Sequence, residues 1–147
     1  MDDAKRRKWA GISEHVILNY EFKITNYEMK QENVIQEKSF AFAVRIVNLY
    51  KYLCEEKREF VLSKQILRSG TSIGANIEES IGGQSDKDFL TKVTIAYKEA
   101  RETVYWLKLL LATDYLNKEQ ANSLLKDAQE ICKILGKIQI TVKNRNS

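Results

Sequence analysis

Residues 62–83 read LSKQILRSGTSIGANIEESIGG, and this stretch decides the fold. Its composition is typical of a loop, because Gly, Ser and Thr are frequent. Its spacing is helical, since residues recur at steps of three and four, namely Leu62, Ile66, Ser69, Ile73, Ile77 and Ser80. Gly70 and Gly74 would each cost about 1 kcal/mol relative to Ala inside a helix. The stretch therefore predicts a helix that neighbouring helices approach closely enough to offset that cost.

The composition of the whole chain favours long amphipathic helices. The 147 residues include no proline, and charged residues of both signs make up 30% of the chain. Prolines interrupt helices, so their absence permits long uninterrupted ones. The two cysteines, Cys54 and Cys132, fall near apolar stripes, which favours reduced thiols in a cytoplasmic protein. No apolar run reaches the length of a membrane span.

The first 33 residues differ from the rest of the chain. They carry six basic and six acidic side chains, so the net charge of +4 lies entirely from Val34 onward. Their aromatic and β-branched residues follow no sustained helical period. We expect an N-terminal arm over residues 1–33, a bundle over 34–143 and a tail over 144–147. The alternative is that the working protein begins at Met29.

The remaining sequence predicts four helices joined by short connections. The first begins near Val34, and the second is capped by Ser63 and ends at Gly82-Gly83. Ser85 caps the third, and Asn117 with Gln120 marks the start of the fourth. Short connections make neighbouring helices antiparallel. The predicted fold is therefore an all-α, up-down-up-down four-helix bundle.

The helices carry more apolar surface than one bundle buries. The first has two stripes, Phe40-Ala43-Val47-Tyr50-Cys54 and Phe42-Ile46-Leu49-Leu53, so roughly half of its surface is apolar. A second cluster flanks the third helix. A large uncovered patch is a liability in a monomer, so we expect self-association. The predicted interface residues are Phe42, Ile46, Leu49, Ile95, Trp106 and Leu109.

Catalytic patterns have little support in this chain. The only histidine is His15, and the two Glu-x-x-His pairs of a di-iron bundle are missing. The glycine-rich stretch lacks the Gly-Lys-Ser/Thr ending of a phosphate loop. One alternative is a hydrolase that uses Glu99 and Glu102. We expect a protein that is not an enzyme and that holds no metal or cofactor.

Basic side chains align on the helix faces and suggest nucleic acid as a partner. Lys98, Arg101, Tyr105 and Lys108 share one face of the third helix. A solvated surface is the simpler interpretation of such a stripe. A ring of identical subunits would multiply the phosphate contacts. The candidate nucleic-acid residues are Arg45, Lys98, Arg101, Lys108, Lys126, Lys133 and Lys137.

The run LRSGTSIGANIEE at residues 67–79 resembles the signature of the proteins encoded in intervening sequences of bacterial 23S ribosomal RNA genes. FAFAVRIV at 40–47 and KEARET at 98–103 are similar to the same family. The resemblance spans about residues 34–142. Its polar motif positions, to which we assign structural roles, are Arg68, Ser69, Ser72, Asn76 and Glu79.

The resemblance implies an antiparallel four-helix bundle that assembles into a cyclic homopentamer. A related branch is the accessory protein of diversity-generating retroelements, which binds a reverse transcriptase and nucleic acid. The chain's net charge of +4 is lower than that branch leads one to expect. We therefore expect a self-associating bundle that binds structured RNA or DNA. The alternative is an adaptor that recruits a protein partner such as a reverse transcriptase.

Overall fold

A computed structural model describes residues 27–145, with side chains from residue 34. Within that range the chain is helical and contains no strand. None of these helices is long and apolar enough to cross a membrane. Residues from Ile35 onward form one compact unit. The helices are α1 (Tyr27–Glu55), α2 (Leu62–Ile81), α3 (Asp86–Ala112) and α4 (Lys118–Arg145).

The contacts between neighbouring helices show how the helices run. In each neighbouring pair, as the contacts move forward along one helix they move backward along the other. The contacting pairs are Gln36–Glu78 and Cys54–Ser63 for α1 and α2, Arg68–Glu102 and Glu79–Lys92 for α2 and α3, Thr94–Gln139 and Tyr97–Gly136 for α3 and α4, and Lys38–Glu130 and Arg45–Asp127 for α1 and α4. All four pairs are antiparallel, which confirms the predicted up-down-up-down bundle.

The glycines of α2 allow α1 to approach closely. A Cβ added at Gly70 would lie 2.7 Å from Cγ1 and 2.8 Å from Cγ2 of Ile46 on α1. Those distances are too short for any real contact, and the Ile46 side chain is fully buried. A Cβ at Gly74 would lie 3.5 Å from the carbonyl oxygen of Ser39, which is an ordinary contact. The predicted close approach is therefore confirmed, and Gly70 is the position that requires it.

The start of α2 differs from the prediction. Ser63 does not cap the helix, because its side chain is buried, with Oγ 3.7 Å from Sγ of Cys54. The cap is Glu59, whose carboxylate accepts hydrogen bonds from the backbone N–H groups of Val61, Leu62 and Ser63 at 2.9, 2.9 and 2.6 Å. A carboxylate at the positive end of a helix is favourable, and here it binds three of the N–H groups that lack helical partners.

The starts of α3 and α4 agree with the prediction. Ser85 accepts a hydrogen bond from the N–H of Asp88 at 3.1 Å. Asn117 and Gln120 bond reciprocally, because the side-chain oxygen of each accepts from the backbone N–H of the other, at 2.8 and 3.0 Å. These local exchanges satisfy N–H groups that lack helical partners.

The apolar stripe of α1 that was predicted to lie between subunits is buried within the chain, and the other apolar stripe faces solvent. Phe42, Ile46 and Leu49, which were predicted to lie between subunits, are buried in the core of a single chain. The physical reason is that α2 seats Gly70 on Ile46, which turns this stripe inward. The stripe that contains Phe40 and Val47 faces outward, with Phe40 71% exposed.

The predicted interface residues on α3 lie closer to the surface than those on α1. Ile95 is exposed, whereas Trp106 and Leu109 are half-buried. Trp106 packs against the edge of the core. Of the six predicted interface residues, these three therefore retain surface that another chain could cover.

Candidate nucleic-acid interface

Two carboxylates of α3, those of Glu99 and Glu102, are turned toward α2. Arg68 on α2 forms ion pairs with Glu102 and with Glu99, the latter at 3.2 Å between Nη1 and Oε2. The indole N–H of Trp106 donates to the same oxygen of Glu102 at 3.1 Å. These contacts hold both acidic side chains on the α2 side of the helix.

The α2–α3 contact beneath these ion pairs is polar and buried. The hydroxyl oxygens of Ser69 and Thr103 are 2.9 Å apart, and both side chains are fully buried. Ser72 donates to the carbonyl of Ser69 at 2.9 Å, and the amide of Asn76 donates to the carbonyl of Ser72 at 2.8 Å. These motif residues therefore bond along α2 and across to α3.

Glu79 is the last of the five polar motif positions. Its carboxylate forms an ion pair with Lys92 of α3 at 2.7 Å. Together with Arg68, it links α2 to α3 at two heights along the bundle.

The outer face of α3 is basic. Lys98, Arg101 and Lys108 are exposed, and no carboxylate of a described residue lies within 4 Å of their charged groups. Tyr105 lies on the same face and is 58% exposed. This face therefore presents cations around an aromatic ring.

The outer face of α4 is basic as well. Lys126, Lys133 and Lys137 are exposed and follow one another at helical spacing. In the part of the chain that the structure describes, none of them has a carboxylate within 4 Å. Glu130 lies on the same face, one turn after Lys126 and one turn before Lys133, but its carboxylate pairs with Lys38 of α1 at 2.8 Å.

The two basic stripes lie side by side at matching heights. Gln139 of α4 donates to Thr94 of α3 at 3.0 Å, one turn from the place where Gly136 faces Tyr97. The guanidinium of Arg101 lies 6.0 Å from the centroid of the Tyr97 ring. It is also close enough to act on Cys132, where burial raises the pKa of the thiol and the charge of Arg101 opposes that rise. Arg101 is therefore level with Cys132 and its neighbour Lys133.

The remaining candidate, Arg45, lies elsewhere. Its guanidinium pairs with Asp127 at 2.5 Å and donates to Oγ of Ser123 at 2.8 Å. It borders an open cleft of about 300 Å³ between α1 and α4. Its charge is neutralised by Asp127, so the structure does not join Arg45 to the other six cations. We call those six, Lys98, Arg101, Lys108, Lys126, Lys133 and Lys137, the basic face.

The residues considered for catalysis are engaged in structural contacts. Glu99 and Glu102 are both held by Arg68. Among the described residues, no group of three or more His, Cys, Asp and Glu side chains is arranged to hold a metal ion. His15 lies outside the described range.

The contact that shapes this surface was not anticipated from the sequence. Arg68 and Glu102 are separated by 34 residues, and no local pattern pairs them. The sequence assigned Arg68 a structural role within the motif but named no partner for it. Its carboxylate partners became identifiable only when the register between α2 and α3 was known.

Comparison with known proteins gives the family. The family model of the 23S rRNA-intervening sequence protein matches residues 31–137. A crystal structure of a protein with unknown function from the S23 ribosomal protein family, from Bacteroides thetaiotaomicron, is 58% identical, with a TM-score of 0.73. The match covers 74% of this chain and 97% of that one. No curated protein matches the chain. The chain belongs to the 23S rRNA-intervening sequence protein family.

Proposed function

We propose that this protein is a non-enzymatic bundle that assembles as a cyclic homopentamer and binds structured RNA or DNA through the basic face. The observation that carries the proposal is the separation of charge on its surface. Five carboxylates are held in ion pairs with Lys38, Arg45, Arg68 and Lys92, while the six cations of the basic face have no acidic partner among the described residues.

An unpaired cation binds a phosphate at a lower free-energy cost than a cation held in an ion pair. A cation that is already paired must lose its partner before it contacts a phosphate, whereas an unpaired cation only releases phosphate counterions. The six side chains of the basic face are exposed and extend along two adjacent helices. One chain offers few contacts and should bind weakly. Several copies in one assembly would engage a polynucleotide together and gain affinity without new kinds of contact.

Self-association is supported by the outward stripe of α1. Phe40, Val44 and Val47 are exposed at 71%, 47% and 37%, at a spacing that places them on one face. Contiguous exposed apolar surface commonly marks a protein interface. A cyclic ring joins two different surfaces of each copy. We assign the α1 stripe to one surface and the flank formed by Ile95, Trp106 and Leu109 to the other.

The thiols support a cytoplasmic location. Cys54 and Cys132 are both free, and free thiols persist where the compartment is reducing.

The alternative is an adaptor in which the α1 stripe binds a different protein, such as a reverse transcriptase. The exposure of Phe40 favours this second function as much as it favours self-association. The two are separated by the mass of the purified protein. A single chain in solution would favour the adaptor, and a stable assembly would favour the ring.

The nucleic-acid function is tested with the purified full chain, a labelled structured RNA and a DNA duplex. The logarithm of the affinity should fall linearly with the logarithm of the salt concentration. For each tenfold rise in salt the fall should be about 0.9 log units per phosphate contact to duplex DNA and about 0.7 per contact to a single strand. A protein that binds neither ligand in dilute buffer would overturn the proposed binding.

A further inference from the structure

Tyr105 is exposed in the middle of the α3 part of the basic face. It follows Lys98 by seven residues and Arg101 by four, and precedes Lys108 by three, so all three cations share its side of the helix. The residue as a whole is 58% exposed. Its edge-to-face contact is with Trp106, at 5.0 Å between centroids and 71° between planes. Tyr105 is thus an exposed aromatic side chain with unpaired cations on both sides of it along the helix.

The other exposed aromatic residues of the described chain have different surroundings. Phe40 belongs to the outward stripe of α1, and Phe60 lies in the turn between α1 and α2. Tyr97 belongs to α3 but is half-buried beneath Arg101. Tyr105 is therefore the exposed aromatic ring that the fold places among the cations of the basic face.

We infer that Tyr105 is a stacking platform for an unpaired nucleobase, with Lys98, Arg101 and Lys108 contacting the flanking phosphates. This inference rests on the proposed nucleic-acid function and narrows its ligand. Aromatic side chains bind the faces of bases, which are free in single strands and loops but covered in a duplex. RNA and DNA share this chemistry, so the predicted preference is for unpaired bases of either polymer.

The neighbouring contacts keep a negative charge away from this platform. Glu102 lies three residues before Tyr105 and would reach the same side of the helix if it were free. Its carboxylate is instead held by Arg68 and by the indole N–H of Trp106. The same Trp106 packs against the Tyr105 ring. A phosphate beside Tyr105 would therefore meet cations and no carboxylate.

The test compares the affinities of the full chain for oligo(U), oligo(dT) and a DNA duplex of equal length, measured by fluorescence anisotropy at one salt concentration. Tyr105→Leu should lower the affinity for at least one of the two single strands by about fivefold to a hundredfold, the range for losing one base–aromatic stack. Its affinity for the duplex should stay within about twofold. Tyr105→Phe keeps the ring and should bind like the wild type.

Phe60→Leu is the matched control, because it removes an aromatic ring of similar exposure away from the basic face. It should change none of the three affinities. Equal losses on single strands and duplex in Tyr105→Leu, or no loss on any ligand, would overturn the stacking role and leave the proposed function standing. If the wild-type protein binds none of the three ligands, the proposed function is overturned as well.

Discussion

The guanidinium of Arg68 on α2 binds the carboxylate of Glu102 on α3. Glu102 lies one turn after Lys98 on the same helix, at the spacing where oppositely charged side chains pair. By holding Glu102 on the α2 side, Arg68 leaves Lys98 unpaired. A residue that lies off the basic face thus sets the charge of that face.

Arg68→Met should therefore weaken nucleic-acid binding although residue 68 contacts no ligand. The released Glu102 would pair with Lys98, and affinity should fall about twofold to tenfold, comparable to the loss of one phosphate contact. Lys92→Met removes the same charge from the α2–α3 contact but frees Glu79 instead, so it should have a smaller effect. Adding Glu102→Gln to Arg68→Met should restore affinity. If Arg68→Met and Lys92→Met lower the nucleic-acid affinity equally, Arg68 does not act by holding Glu102 away from Lys98.

Alanine substitutions at the two glycines of α2 should have opposite effects on the free energy of unfolding. Gly70→Ala places a methyl group against the branched side chain of Ile46, and overpacking of this kind costs about 1–3 kcal/mol, which exceeds or offsets the gain in helix propensity. Gly74→Ala meets only an ordinary contact and should stabilise the protein by up to about 1 kcal/mol. Urea unfolding measures both free energies.

A second variant tests the cause of the Gly70 effect. Ile46→Ala removes all three Ile46 side-chain atoms that the new methyl group would meet. In that background Gly70→Ala should become neutral or stabilising. A similar cost of Gly70→Ala in both backgrounds would show that Ile46 is not the cause.

The cap of α2 should make stability depend on pH. Burial acts to raise the pKa of Glu59, but the hydrogen bonds from the backbone of Leu62, Ser63 and Val61 and from the Ser63 hydroxyl outweigh it, so the pKa is lowered from 4.5. A lowered pKa in the folded state stabilises the protein above the unfolded-state pKa, and this contribution is lost as pH falls through the lower folded-state value.

Glu59→Gln should therefore lower the free energy of unfolding by about 0.5–2 kcal/mol near neutral pH, as the loss of a helix cap does. The free energy of unfolding of this variant should also fall less steeply than that of the wild type as pH decreases below 4.5. Urea unfolding at several pH values gives both quantities. The control is Glu56→Gln, since that side chain is exposed and lies in the same turn region. An equal change in the two variants would contradict the capping role of Glu59.

The α1 stripe should control assembly without controlling folding. Val44→Asp places a charge on an exposed face and should give a folded protein of smaller mass by light scattering. Val61→Asp makes the same change in the exposed α1–α2 turn and should leave the assembly intact. Leu49→Asp should prevent folding, because Leu49 is buried and an isolated buried charge is costly. Wild-type protein that remains a single chain at high concentration would contradict the ring.

The sequence predicted the bundle because its helices are amphipathic and their turns contain local signals. Ser85 and the Asn117–Gln120 pair act within three residues, so local pattern was sufficient. The inward stripe of α1 was not predictable in this way. Both stripes repeat at helical spacing, and the choice between them depends on where Gly70 of α2 meets α1.

The candidate site shows the same division between local and distant information. Side chains that share a face of α3 or α4 follow from the helical period alone. Which of them are neutralised depends on distant partners, since Arg45 meets Asp127 across 82 residues. The sequence therefore grouped Arg45 with the basic face, and the structure separates it.

The most direct test of the central claim is the salt dependence of RNA and duplex binding by two matched double variants. Lys133→Gln/Lys137→Gln removes two unpaired cations of the basic face, and Arg45→Gln/Lys92→Gln removes two that are held in ion pairs. The first should lower the salt slope by about 1.4–1.8, which is two phosphate contacts, and the second should leave it nearly unchanged. Equal slopes in the two variants would contradict a nucleic-acid interface on α3 and α4.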